Sequence, residues 1–381
     1  MPQVGGESKP KHASRTAAFS ALHTACRIYA GRVLDALTGQ LTRKEPLAPG
    51  RVADAVSALI LESIPIESKA AFLTALARKG ETAEEIAAFA NELCARAILP
   101  PLEAGLRARE ILDVCGTGGD QLGTFNISTT VALVCAAAGV TVAKHGNRAI
   151  TSRAGSADVL EALGIRTDLS PAEAARSLHE HGFAFFFAPH YHPAFQHLAP
   201  VRKLCAERGQ RTIFNFLGPL LNPVRPTAQL MGVPRPELCE PMARVLQSLG
   251  VRRAMVVCGT VPAAGPAAYL DVLSMLGDNT IAEFYQERGF ATSTLDPKQF
   301  PLQPATLADL IGGDRDTNAE IIRQILRGDD SGPKRDAVLL NAGAALFVAG
   351  SARSMSEGWE LAAAVITSGK AQAKLEELSA R

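Results

Sequence analysis

Aromatic side chains are scarce, only 5% of the 381 residues, and the apolar content rests on Ala, Leu and Val. That shortage disfavours an all-β sandwich and favours helices packed on buried parallel strands. Charge of one sign is also lacking: 39 basic and 38 acidic residues leave a formal net charge of +1. A dedicated nucleic-acid binder would carry a global basic footprint, and none is present. The 7 cysteines, scattered from Cys26 to Cys258, form no CxxC pair and are odd in number. They suggest neither a disulfide framework nor a zinc site, and Cys115 and Cys135 sit in apolar runs as small core residues. No apolar run is long and uninterrupted enough for a membrane span, and the first residues lack the apolar stretch of a signal peptide. The expected compartment is therefore the reducing cytoplasm. What remains, 47% hydrophobic and 20% charged residues, is the composition of an ordinary globular protein large enough for more than one packed unit.

Three zones follow along the chain. Residues 1–24, with Gly5, Gly6, Pro2 and Pro10 among basic side chains, read as a mobile N-terminal extension. Residues 25–101 read as a small helical domain, closed by Pro100 and Pro101 and joined by helices from about 192–210. Within it, apolar residues from Ser68 recur at helical spacing up to Gly80, and Thr82 opens another helix with Glu84 and Glu85 in its first turn. Residues 102–381 alternate strands and helices, which predicts an α/β domain with a central, mostly parallel sheet flanked by helices. The expected strands are Ile111–Gly116, Val140–Lys144, Phe183–Pro189 and Ala254–Gly259. Expected helices include Thr129–Ala138, Ser156–Leu163, Glu237–Leu249, Asp336–Val348 and Ser356–Leu378.

The chemistry concentrates after the first strand. Gly116, Gly118 and Gly119 follow it directly, letting the backbone turn sharply and present bare N–H groups. Asn126, Ile127, Ser128 and Thr129 then open an apolar helix, whose positive dipole end favours an anion. A tight turn with an ordinary cap explains either feature alone. A further loop follows the second strand, however, where Lys144, His145 and Arg148 stand at the sheet edge that binds ligands in α/β proteins. Ser152, Gly155 and Ser156 add hydroxyls and exposed backbone. Together these runs make a phosphate site.

In order and spacing, the runs GTGGD (116–120), NIST (126–129), KHGNR (144–148) and GSADVLEALG (155–164) resemble the anthranilate phosphoribosyltransferases. So do AFLTALARKGETAEEIAAFA, FAPHYHPAF, RTIFNFLGPLLNP and DAVLLNAGAALFVAG, so that the likeness runs from about Ala25 to the C-terminus. Pyrimidine nucleoside phosphorylases share the phosphate loops but not NIST or the HPAF–Arg segment. The resemblance implies transfer of phosphoribose from phosphoribosyl diphosphate to the amine of anthranilate, in tryptophan biosynthesis. It also implies magnesium and a homodimer formed through the helical domain. Carried over residue by residue, Gly116, Gly119, Asp120, Thr124, Asn126, Ile127, Ser128, Thr129, Lys144, His145, Gly146, Asn147, Arg148, Ser152 and Ser156 would hold phosphoribosyl diphosphate. Gly116, His145, Asn147, His192 and Arg202 would line the anthranilate site, an arginine fork suiting its carboxylate. Ser128 and Asp271 would bind magnesium, and no general base is assigned. His190 joins His192 as a lining residue, while His179 and His181 read as a solvated helix end.

The pattern breaks in three places. Family members carry an Asp–Glu pair where this chain has Asp271 and Val272, and a valine offers magnesium nothing. The run from Thr260 to Tyr269 is longer and more apolar than usual, and about three extra residues between Arg202 and Arg211 suggest a loop insertion. An enzyme with altered magnesium dependence is expected: either Asp278 or another nearby acid replaces the ligand, or one metal is held weakly and affinity for the diphosphate substrate falls. The alternative is a divergent paralogue, either with another acceptor or bound to nucleic acid through Arg202, Lys203, Arg208 and Arg211.

Overall fold

The computed structural model describes residues 29–149, 153–262, 268–286 and 288–380. The expected N-terminal extension and Ser152 lie outside them. Two compact units emerge, one of residues up to Glu81 with Ala194–Thr212, the other of Thr82–Pro193 and everything from Ile213 onward.

The first unit is helical, with helices over 29–42, Pro49–Ile60, Ile66–Lys79 and Ala199–Glu207. Leu34, Leu37, Val52, Phe72, Leu73, Leu76, Val201 and Cys205 are among its buried apolar residues, and Ile66–Lys79 packs on Ala199–Glu207. Of the stretch between Arg202 and Arg211, the residues to Glu207 are helical, and a turn with Gly209 at φ +64° follows. The next helix along the chain, Ala83–Cys94, begins at a full capping box in which Thr82 and Glu85 satisfy each other's backbone N–H. It groups with the second unit, packing against helix Cys239–Ser248.

The second unit is built on one eight-stranded sheet. Its strands are β1 Ile111–Gly116, β2 Thr141–Gly146, β3 Phe183–Phe187, β4 Ala228–Gly232, β5 Arg253–Val261, β6 Ala268–Leu270, β7 Asn279–Tyr285 and β8 Gly289–Leu295. The order is β3-β2-β1-β4-β5-β7-β8, with β6 paired to β5. The first five are mutually parallel, and β6, β7 and β8 run antiparallel to their neighbours. The α/β domain with a mostly parallel sheet is thus as the sequence predicts. Alternate residues face opposite layers, as strand geometry requires. Leu112, Val114, Val142, Phe183 and Phe185 join the large core with helices Ile127–Ala137 and Pro333–Val348. Ile111, Ala143, Ala184 and Phe186 join a smaller core with helix Pro171–His181.

Four expectations are corrected. β4 lies at the centre of the sheet although it is not among the expected strands, so Arg253–Val261 is the fifth strand and not the fourth. Its five residues are all buried, and Gln229 in the middle breaks the apolar run by which a buried strand is recognised. The amide of Gln229 is satisfied inside, donating to Pro219 O at 2.8 Å. β8 was also missed, because its run Gly-Phe-Ala-Thr-Ser-Thr-Leu is mostly exposed and shows no core face. The stretch Ser356–Leu378 is two helices, Met355–Thr367 and Lys370–Ser379, parted at Gly369 with φ +79°. Finally, His181 is buried, its Nδ1 paired with Glu377 Oε1 at 2.7 Å, whereas His179 does stay on the exposed face.

Candidate active site

β1 and β2 are adjacent and parallel, so their carboxyl ends deliver the glycine-rich and basic loops to the same edge of the sheet. Gly118 (φ +74°) and Gly119 (φ +101°) adopt backbone that other residues rarely reach. The turn they make carries the Gly118 N–H onto Asp271 Oδ2 at 2.7 Å. Gly116 and Gly232, at the ends of β1 and β4, are glycines for another reason. A Cβ on Gly116 would stand 2.3 Å from Asp271 Oδ2, and one on Gly232 would stand 1.4 Å from the Asp271 carbonyl oxygen. Two strand ends are therefore bare so that Asp271 can lie across them.

Asp120 lies near enough to Asp271 for the two carboxyls to influence each other electrostatically. Burial raises the pKa of both carboxyls, and the charge of Asp120 raises that of Asp271 further, while the Gly118 N–H pulls it back. Two carboxylates this close share a proton or a cation, because both cannot ionise unaided. Asp278, offered by the sequence as a replacement for the missing acid, is exposed. Val272 packs against the large core. Among the described residues no cluster of three or more His, Cys, Asp or Glu side chains is gathered for a metal.

Helix Ile127–Ala137 begins beside this loop. Asn126 does not cap it through its side chain. Instead Nδ2 donates to Ala154 O at 3.2 Å, and Oδ1 accepts from Asn318 Nδ2 at 2.9 Å. Ser128 is half-buried on the first turn, and the buried Thr129 hydroxyl has no hydrogen-bond partner among the described residues. Thr124 bridges to Ile311, and Gly312 N–H donates to Gly123 O, so the whole 123–126 run is braced by residues 310–318. Asn318 escaped the sequence reading. Its one signal is a polar side chain on the buried stripe of the amphipathic helix Arg315–Arg327.

Lys144 and His145 close β2. Lys144 is 2% exposed and donates through Nζ to Val114 O at 2.8 Å. His145 is buried edge-on to His192, with ring centroids 5.5 Å apart. Burial, followed by the neighbouring His192, pushes its pKa down to about 3, so the ring is neutral at any working pH. Its Nε2 is buried without a partner among the described residues, and His192 Nε2 lies 2.7 Å from Leu221 O. His190 is exposed and packs edge-on to Phe187. Gly146 is bare because a Cβ would meet Ser156 Oγ at 2.3 Å, and Ser156 Oγ donates to Asn147 O at 3.3 Å. Arg148 is held by Glu161 at 2.6 and 2.8 Å and by Asp158 at 3.1 Å. Asp158 also accepts from Ala149 and Gly155 N–H, both at 2.9 Å, which closes the loop on itself. Arg202, the expected carboxylate partner, stands half-buried on Ala199–Glu207 in the first unit, and burial lowers its pKa.

Glycine turn, helix start and basic loop on one edge of a mostly parallel sheet are the features of an α/β protein that binds an anionic, phosphorylated ligand. Residues 108–372 match the glycosyl transferase family, a/b domain, and residues 36–97 match the helical bundle domain of that family. The anthranilate phosphoribosyltransferase of Thermomicrobium roseum is 48% identical over 327 residues, covering 85% of this chain and 90% of the relative. That of Petrotoga mobilis is 43% identical over 339 residues, covering 89% and 94%. The crystal structure of the Thermus thermophilus enzyme superposes with a TM-score of 0.80 at 41% identity, over 90% of this chain and 98% of that one. A Saccharomyces cerevisiae enzyme in complex with PRPP and Mg gives 0.78 at 28% identity, over 91% and 97%. The chain belongs to the anthranilate phosphoribosyltransferases.

Proposed function

We propose that the chain transfers phosphoribose from 5-phosphoribosyl 1-diphosphate to the amino group of anthranilate, releasing diphosphate. The observation that carries this reading is the meeting of the 116–120 turn, the start of helix Ile127–Ala137 and the Lys144–Arg148 loop at the ends of adjacent parallel strands. Backbone N–H groups and the Lys144 ammonium stabilise charge as it develops on departing diphosphate. The aromatic amine is a neutral nucleophile, so the acceptor needs positioning more than a strong base. The neutral ring of His145, edge-on to His192, suits that part.

Magnesium belongs to the same reading, since the yeast relative is known in complex with it. Bound here, it would neutralise charge on the diphosphate. Asp271 and Asp120 would offer it hard oxygen donors, and the repulsion between their charges is one that a cation would relieve. Ser128 adds a hydroxyl. In this assignment Asp120 is the nearby acid that stands in for the glutamate missing at Val272.

Assembly as a homodimer through the helical domain is part of the proposal, supported by the exposed Tyr29 and Ile66. A single-chain mass by light scattering would remove it. Cytoplasmic residence is supported by the free thiols of the six described cysteines. Among the described residues no helix is long and apolar enough to cross a membrane.

The test of the reaction is loss of anthranilate fluorescence with phosphoribosyl diphosphate across a magnesium titration. Turnover is expected. A folded protein that binds phosphoribosyl diphosphate yet leaves anthranilate untouched would point to another acceptor.

A further inference from the structure

Between β6 and β7 the segment from Asp271 to Asp278 has no regular secondary structure, so its backbone polar groups need partners outside the sheet ladder. Two asparagine side chains supply them. Leu273 donates its N–H to Asn341 Oδ1 at 2.9 Å, and Asn341 Nδ2 donates back to Leu273 O at 2.9 Å. Ser274, the next residue, donates its N–H to Asn279 Oδ1 at 2.6 Å, and Asn279 Nδ2 donates to Ser274 O at 2.9 Å. A primary amide carries a donor and an acceptor side by side, so each asparagine pairs with one residue much as a neighbouring strand would.

The sheet makes room for the same segment. β1, β4 and β5 are adjacent strands, and each has a glycine where residues 271–274 cross it. A Cβ on Gly116 or Gly232 would collide with Asp271, and one on Gly259 would stand 2.5 Å from Ser274 N and 2.6 Å from Val272 O. Asn341 arrives from helix Pro333–Val348, 68 positions along the chain from Leu273. It is 2% exposed, and every other residue from Ala337 to Val348 is apolar or glycine. Burying an amide there costs free energy unless its polar atoms are bonded. The remaining Nδ2 proton goes to Ala337 O at 2.9 Å, so both donors are used. An apolar side chain of similar size would serve the helix packing, so the amide answers to the segment.

We infer that Asn341 is a positioning residue for the binding of phosphoribosyl diphosphate: by gripping Leu273 it fixes Asp271, two residues earlier, across the ends of β1 and β4. Asn279, 0% exposed, grips the following residue and acts in the same sense. The Asp271 carboxylate accepts the Gly118 N–H at 2.7 Å, while its own main chain is anchored through Leu273. This rests on the reading that Asp271 serves the diphosphate sugar together with magnesium. Removing a group that orients a metal-binding side chain typically costs about 10–100-fold in affinity.

The test is a double-mutant cycle in which phosphoribosyl diphosphate binding to the full chain is followed by calorimetry across a magnesium titration. N341A is expected to raise the magnesium concentration for half-maximal binding by about tenfold. In a D271N background the same change is expected to move that midpoint less than about twofold, because no carboxylate is then left to aim. A residue that merely supports the core would act without regard to Asp271. Equal shifts in both backgrounds, or no shift in the natural one, therefore overturn the inference. Should N341A not fold, N341D has the same size, keeps an acceptor for the Leu273 N–H and loses the donor to Leu273 O. The same cycle then applies, with a shift in the same direction expected. D271N by itself separates the two levels of the argument. If it leaves the magnesium midpoint where it was, the reading of Asp271 fails and the inference fails with it. If it moves the midpoint and N341A does not, the inference alone fails.

Discussion

The imidazole of His145 sits where a charged ring could not, and that has a measurable consequence. Its pKa falls from 6.5 to about 3 on folding, so between those values the unfolded chain binds a proton that the folded chain does not. Stability from this group is therefore present above about pH 6.5 and is lost as pH falls toward 3. The slope approaches about 1.4 kcal/mol per pH unit for one full proton. Urea denaturation of the natural chain and of H145N over this range should diverge, with the variant less acid-sensitive. Parallel curves would mean that the ring titrates normally. Gly232 makes a second case at this scale. A methyl there would overlap the Asp271 carbonyl oxygen at 1.4 Å, and only a main-chain shift relieves that. Overpacking of this kind costs about 1–3 kcal/mol, so G232A should lower the unfolding midpoint and weaken magnesium-dependent substrate binding together. Unchanged magnesium dependence in a destabilised G232A would separate Asp271 from the metal.

Between elements, the loops are held by residues far away in sequence. Asn318 opens no loop and touches no strand, yet it is 3% exposed, accepts the Gly313 N–H at 2.8 Å and donates to Asn126. N318A strands both partners, at about 1–3 kcal/mol for a buried group left unpaired. It should also raise the KM for phosphoribosyl diphosphate by several-fold while altering that for anthranilate little. Equal rises in both constants would argue for general loosening instead. This element-scale brace was not legible in the sequence. The glycine turn and the basic loop were, because each carries its chemistry locally: positive-φ glycines in one, clustered cations and hydroxyls in the other. The pairing of Asn126 with Asn318 spans 192 positions, and nothing in either neighbourhood announces the other.

For the molecule as a whole, the open quantity is how much magnesium the reaction requires. Val272 contributes apolar packing to the large core, and a glutamate there would restore the second carboxylate of the family pattern. V272E should tighten magnesium-dependent binding of phosphoribosyl diphosphate by about tenfold, the worth of roughly 1.4 kcal/mol. It should cost about 1 kcal/mol of stability through lost packing. D120N in the natural chain is expected to move the magnesium midpoint in the opposite direction. If V272E leaves the magnesium titration where it was, the position has no part in the metal site.

The sequence alone determined the fold class, the order of helical and α/β regions, and the glycine-rich and basic loops proposed to hold phosphate. Each of these depends on local pattern: 3.6-residue and two-residue periodicities, glycines after a strand, polar residues opening a helix. Tertiary structure decided what surrounds those pieces. It placed β4 in the centre of the sheet despite a glutamine that disguises it, and it buried His181 against Glu377. Asp120 came to rest against Asp271 across 151 positions, a separation read directly from their numbering. Asn222 was brought from far along the chain to bond both Asp113 and the Ala143 carbonyl. These are contacts between segments that share no local signal. Only the packing of the sheet brings them within the few ångströms at which hydrogen bonds and charges act.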